Sequence, residues 1–313
     1  ENHINVGRPY GASIYDLAYG NGERDFRNKY SERSSTDFNT QWTAMYFYSG
    51  DVNRKNNFNV RFDYNHIYSK DNRDLFRLDK YAEYGMGSHA TVGYLPSTRD
   101  SLLRVRDADN SYHSSIYKDR YEMSGVTPKL KLPVWGLHTY LEPGIVFRHE
   151  QIDYRRGSFS KKHTRNVLSW EPKLFIGKDD CSLEYKVTKM LPELTDILDF
   201  TTTDNPLNIW RGNPNLKNTD IHSVNFYRSI RKYDENWYCT HLIHIDAYWQ
   251  VMRNAIGQYV EYNRQTGAVR STPMNINGNW SAGASFEFMG TVDKKKRLML
   301  NTKTEVGYNN SVD

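Results

Sequence analysis

A strict two-residue alternation, held for longer than a globular strand lasts, constrains this chain more than any other feature. Residues 58–64 read FNVRFDY, with Phe58, Val60, Phe62 and Tyr64 at one parity and Asn59, Arg61 and Asp63 at the other. Successive side chains of a strand point to opposite faces, so this period gives one apolar and one polar face. Residues 279–288, NWSAGASFEF, set Trp280, Ala282, Ala284, Phe286 and Phe288 against Asn279, Ser281, Gly283, Ser285 and Glu287. Residues 237–251 set Trp237, Cys239, Ile243, Ile245, Ala247, Trp249 and Val251 against Tyr238, Thr240, His244, Asp246 and Gln250. Similar segments cover 40–48, 137–151, 166–178, 181–189, 222–230 and 298–308, many of them 9 to 15 residues long. Globular strands run to roughly 5 or 6 residues, whereas a tilted strand needs about 9 to 11 to cross a bilayer. The expected fold class is therefore all-β: a transmembrane antiparallel up-and-down β-barrel.

The connections support the same architecture. GKDD at 177–180, RKYDEN at 231–236 and TVDKKK at 291–296 are short and charged, while 191–220 and 252–278 are long, and the two kinds alternate along the chain. Tight periplasmic turns and long outer loops produce such an order. Residues 70–120 break the pattern and offer weak candidate strands at 88–95 and 111–118.

Composition decides between kinds of membrane protein. Mean hydropathy is −0.81, but a barrel averages a polar lumen with an apolar outer face, so a polar mean is compatible with a membrane. The densest apolar cluster, AMYFY at 44–48, is far shorter than the ~18 residues of a membrane helix. The first residues, ENHINVGRPY, show no signal-peptide pattern. Acidic and basic residues are interspersed at a net charge of +5, and the run Lys294, Lys295, Lys296 and Arg297 reads as a solvated turn. That argues against a nucleic-acid partner. Cys181 and Cys239 lie on apolar stripes and read as unpaired small hydrophobes.

The long connection 191–220 contains NPLNIWRGNPNLKN at 205–218. Pro206 and Pro214 cannot donate to a ladder, and Gly212 with its asparagine neighbours accepts turn dihedrals, so this stretch interrupts pairing. Upstream, LPELTDILDF at 191–200 spaces Leu194, Ile197 and Leu198 by three and four after Pro192, which predicts a short loop helix.

These residues resemble the "NPL…GNPxLkPe" signature of TonB-dependent-receptor-like outer-membrane barrels of Gram-negative bacteria, through Asn205, Pro206, Leu207, Gly212, Asn213, Pro214 and Leu216. The likeness continues in WEPKLFIG at 170–177, MLPEL at 190–194 and PMNINGNWSAGASFEF at 273–288, and spans about 165–313. Where the family continues with Lys-Pro-Glu this chain has Lys217, Asn218 and Thr219, so the second turn proline is missing. The resemblance implies an outer-membrane location and energised uptake of a siderophore, glycan or peptide. It also implies outer-membrane lipid, the TonB system acting through a plug region, and a surface lipoprotein as partners, with no cofactor and no enzymatic activity. Residues 1–313 are expected to be one barrel segment, with no plug domain, TonB box or final strand visible. Two other roles stay open: a structural component of an outer-membrane assembly without transport, and a soluble secreted β-rich glycan-binding module.

Few residues suggest chemistry. His241 and His244, three apart on a strand, point to opposite faces and cannot share a metal. GMGSHA at 85–90 follows charged DKYAE and opens no helix, which rejects a dinucleotide loop. Glu193, Asp196 and Asp199 form an acidic side better read as a solvated face than as a calcium site or acid pair. Trp210 and Arg211 place a rigid aromatic beside a guanidinium in an exposed loop, a pairing suited to holding a ligand, against the plainer reading that Trp210 packs the loop onto the rim.

Overall fold

The computed structural model describes residues 2–18, 22–49, 57–81, 95–126, 130–131, 138–178, 180–202, 205–235, 239–292 and 298–312. Strands β1 (Asn2–Gly7) and β2 (Tyr10–Ala18) lie end to end along β3 (Arg24–Ser49), which pairs with β4 (Asn57–Arg77). A short helix, α1 (Arg99–Arg104), precedes β5 (Tyr112–Val126) and β6 (Leu130–Lys131). The meander continues through β7 (His138–Glu142), β8 (Ile145–Arg156), β9 (Phe159–Trp170), β10 (Lys173–Lys178) and β11 (Cys181–Met190). After β12 (Asn208–Trp210) come β13 (Thr219–Tyr233) and β14 (Cys239–Arg253). The hairpin β15 (Ala255–Tyr262) and β16 (Val269–Ile276) precedes β17 (Trp280–Thr291) and β18 (Met299–Asn310). Outside the separate β12–β16–β15 sheet, every ladder is antiparallel and joins neighbours in the meander, and among the described residues the wall does not close.

Two ladders become one wall through a crease. β7 and β8 are separated by Pro143 and Gly144, and β9 and β10 by Glu171 and Pro172. The breaks face each other, because Glu142 pairs with Lys173 and Ile145 with Trp170. The Glu171 N–H donates to the Gly144 carbonyl at 2.7 Å. Gly144 has φ +56°, and a Cβ there would lie 1.9 Å from the Glu171 carbonyl oxygen, so the crease requires glycine.

Alternation on β8 fixes inside and outside. Val146, Arg148, Glu150, Ile152 and Tyr154 are buried, and the residues between them are not. Cross-strand partners share a face, so the pairing carries this polarity around the wall. Trp42, Tyr64, Tyr121, Phe147 and Leu168 form one outward row, and Ala44, Phe62, Met123, Ile145 and Trp170 the next. In the second half Leu183, Phe226, Ala247, Ala284 and Val306 face out, while Tyr227, Asp246, Ser285 and Glu305 face in. Leu168 is 71% and Val306 70% exposed, which marks a surface solvated by lipid. Toward the long loops the band is crossed by an outward polar row, Thr40, His66, Asp119, His149 and Asn166, beyond which Phe38, Tyr68 and Tyr117 again stand on the outward parity. There the Asp119 carboxylate accepts the Tyr64 hydroxyl at 2.9 Å and lies 2.7 Å from His66 Nδ1.

Val60, Phe62, Trp280, Ala282, Phe286 and Phe288 thus stand on the outward parity, opposite Arg61, Asp63, Ser285 and Glu287. The Phe58 side chain and Trp237 lie outside the described residues. His241 and His244 do point to opposite faces. Cysteines placed singly at these sites in detergent should split into two sets. The inward set should react with a water-soluble thiol reagent on the order of tenfold faster, and equal rates would defeat this assignment of faces.

Several expectations change. Candidate 111–118 is the first half of β5, whereas 88–95 and GMGSHA fall almost wholly or wholly within 82–94, outside the described residues. The helix expected over 191–200 is absent; consecutive turns replace it, with N–H groups of Asp196 and Leu198 donating to carbonyls of Glu193 and Thr195 at 3.1 and 3.2 Å. A segment so short gains little from helix propagation, and its apolar residues are satisfied by tertiary contact. The helix that does form, α1, is capped by the Thr98 hydroxyl accepting from the Ser101 N–H at 3.3 Å. Its Leu102 joins Tyr30, Phe76, Leu78 and Val105 in a small core at the loop-side ends of β3 and β4. Cys181 and Cys239 are free thiols.

Candidate functional site

The long-loop rim is built by residues 191–218 and the hairpin β15–β16. Leaving β11, the chain turns at Pro192 and buries Leu194 and Leu198 against Ile152 and Tyr154 of the inward wall. Phe200 stacks on Tyr154 with centroids 4.7 Å apart. The returning arm bonds to the outgoing one: the Gly212 N–H donates to the Phe200 carbonyl at 3.1 Å and the Asn213 N–H to that of Asp196 at 2.6 Å. Gly212 lies so close that a Cβ would sit 1.9 Å from the Leu198 carbonyl oxygen.

A set of asparagines then ties this loop to β16. Asn213 donates from Nδ2 to the Pro273 carbonyl at 3.0 Å and accepts the Asn215 N–H at 3.0 Å. Asn275 accepts the Lys217 N–H at 2.7 Å and donates back to the Lys217 carbonyl at 3.0 Å. Asn205 accepts the Leu207 N–H at 3.0 Å, and the Leu207 carbonyl accepts from Val269 at 2.8 Å. Asn277 accepts the N–H of Asn254, a residue at φ +53°, at 2.7 Å. Asparagine suits these places because its amide copies a backbone group and tolerates turn dihedrals. Pro206 lines a recess and Leu216 donates its N–H to the Asn213 carbonyl, so the signature residues gather in one clasp. Asn275 and Asn277 complete it, although the sequence marked them only as an asparagine-rich run.

Trp210 and Arg211 are adjacent but turn to different surroundings. The Trp210 ring packs 5.1 Å from Phe200, half-buried in the aromatic group over Tyr154. Arg211 is exposed and pairs with Asp199 at 3.2 Å. It lines an open recess of about 480 Å³ with Asp199, Asn213, Tyr259, Glu261 and Arg270. Glu261 and Arg270 also line a neighbouring recess of about 1270 Å³, which reaches Tyr262, Arg264 and Glu23. The hairpin residues of both recesses escaped sequence reasoning, though AIGQYVEY before NRQTG is an alternating run ahead of a turn.

The three loop carboxylates diverge. Glu193 pairs with Lys118 at 3.1 Å and Asp199 with Arg211. Burial, and then the charge of Glu193, hold the half-buried Asp196 acid above the usual carboxylate range. Among the described residues no three His, Cys, Asp or Glu side chains come together to hold a metal ion.

The sequence profile of the outer membrane protein beta-barrel family matches residues 141–313. No curated protein matches the chain by sequence. Among solved structures the chain is similar to the hemophore receptor HasR of Serratia marcescens, seen as a double mutant with its hemophore HasA and heme. Identity there is 11% over 92% of this chain and 46% of that one, with a TM-score of 0.48. It is also similar to the alcaligin outer membrane receptor FauA of Bordetella pertussis (9% identity, 99% of this chain, 45% of that one, TM-score 0.41). A third is BauA, the ferric preacinetobactin receptor of Acinetobacter baumannii (10%, 97%, 41%, TM-score 0.44). This chain spans less than half the length of each.

Proposed function

Since this chain belongs to the outer membrane protein beta-barrel family, and so to the Gram-negative outer membrane, we propose that it serves energised uptake of a siderophore, glycan or peptide captured at the long-loop rim. The observation that carries this reading is the recess in the long-loop rim that holds Arg211, Asp199, Tyr259, Glu261 and Arg270. Both signs of charge and an exposed aromatic converge there, a combination that recognises a polar solute with apolar rings or faces. In this reading Arg211 touches the ligand and Trp210 sets its position from beneath. Energy comes from the TonB system through a plug region, of which residues 1–313 are the barrel partner, and a surface lipoprotein is a further candidate partner.

In the full-length protein, Arg211→Ala combined with Arg270→Ala should weaken ligand binding by roughly 1 kcal/mol or more per side chain while heat-modifiable gel mobility stays unchanged. Uptake by intact cells would be measured with a panel of labelled ferric siderophores, oligosaccharides and peptides. Trp210→Ala should lower uptake and also loosen the loop. If a probe enters at unchanged rate in the double arginine variant, the recess is not the capture site; if none of the panel enters wild-type cells, the structural role in an outer-membrane assembly takes precedence.

A further inference from the structure

Residues 191–202 do not stand away from the rim; they lie against the inward wall of the barrel mouth. Leu194 and Leu198 are as deeply buried as Ile152, on which they pack. Polar bonds flank that contact. Arg165 on β9 donates from Nη2 to the Pro192 carbonyl and from Nε to Glu150, each at 2.6 Å, so one half-buried guanidinium joins wall and loop. Lys118 on β5 reaches Glu193. Thr195 closes over a small cavity of about 380 Å³ lined on the wall side by Arg33, Asp71, Tyr112 and Ser114. On its other side the same loop is held by the asparagine clasp to β16.

We infer that residues 191–202, with their returning arm 210–213, form a fixed constriction that narrows the barrel mouth on the side of β5, β8 and β9 and does not swing open as a lid. The inference rests on the uptake reading and deepens it. A lid needs a free state in which its inner face is wet. Swinging this loop outward would expose Leu194, Leu198 and Phe200 together with Ile152 and Tyr154, and would leave Arg165 and Glu150 without the carbonyl that completes their cluster. Anchorage on two sides, by an apolar core and by backbone-directed amides, describes a built part of the wall. Leu194 and Leu198 are positioning residues for it.

Thiol labelling of the full-length protein in intact cells tests this without knowledge of the substrate. In a background with Cys181→Ser and Cys239→Ser, Ser114→Cys lies beneath the loop and Thr266→Cys on the exposed β15–β16 turn. A small charged methanethiosulfonate and a bulky polyethylene-glycol maleimide serve as probes. Ser114→Cys should label on the order of 100-fold more slowly than Thr266→Cys. Adding Leu194→Asp and Leu198→Asp should raise its rate at least tenfold, more for the bulky probe, with the heat-modifiable band retained. Equal rates at positions 114 and 266 would overturn the inference, as would slow labelling that persists in an assembled Asp variant. The first comparison needs only the docked protein, so it decides even where the Asp variant fails to assemble. Neither rate depends on transport, so a failed uptake assay leaves this result interpretable.

Discussion

Gly212→Val is expected to unseat residues 191–218 from the rim while the barrel ladders persist. The added Cβ would stand 1.9 Å from the Leu198 carbonyl oxygen, a backbone atom in the middle of the loop's own packing. Relief requires the two arms to part. That breaks the bonds from Gly212 to Phe200 and from Asn213 to Asp196, and with them the seat of Leu198 against Tyr154. Two buried backbone bonds and part of an apolar contact together make a local loss of about 3 to 5 kcal/mol. Protease added to intact cells should then cut within 191–218 of the variant and spare the wild type, with heat-modifiable mobility intact in both. Gly212→Ala should behave alike, because the clash begins at Cβ. An unchanged digestion pattern would show that the arms can part at little cost.

The second large effect lies beneath the crease. Arg148 Nη1 donates to Glu171 at 2.6 Å and to Ser169 Oγ at 2.8 Å, and that hydroxyl in turn donates to Glu171 at 2.7 Å. Both charged side chains are buried, at 10% and 6% exposure. Arg148→Met removes the cation and leaves the Glu171 carboxylate uncompensated at the joint between the two ladders, for which a loss of about 3 to 5 kcal/mol is expected. Adding Glu171→Gln should recover most of that loss, because the stranded charge is gone. Urea unfolding in detergent micelles, followed by tryptophan fluorescence, gives both numbers. If Arg148→Met alone costs under ~1 kcal/mol, the pair is wet and behaves like a surface salt bridge.

Much of this fold was legible because two solvents write on alternate residues. In β4, β14 and β17 hydrocarbon selects one parity and the lumen the other, so strand, face and partner orientation follow from the sequence. The first half of β3 has no such contrast: RDFRNKYSERSST is mostly polar at both parities, and Asn28, Lys29 and Tyr30 are buried by neighbouring chain and not by lipid. The spacing of Leu194, Ile197 and Leu198 was real, yet it serves a turn, because Tyr154 on a distant strand supplies the apolar partner. In the clasp, the asparagines of 205–218 were visible as turn residues. That Asn275 would answer Lys217 across 58 positions was not, since no local periodicity encodes such a pairing.

The length of β4 sets how this protein meets its surroundings. From His66, in the outward polar row, to Arg77 the strand continues for eleven residues, about 36 Å of chain at ~3.3 Å each. At the tilt usual for such walls, this is a collar roughly 25 to 30 Å tall. The wall therefore stands well beyond that row on the long-loop side. Its outward side is partly covered by the chain itself, because Tyr30 and Phe76, which stand on the outward parity, are buried there with Leu102 and Val105.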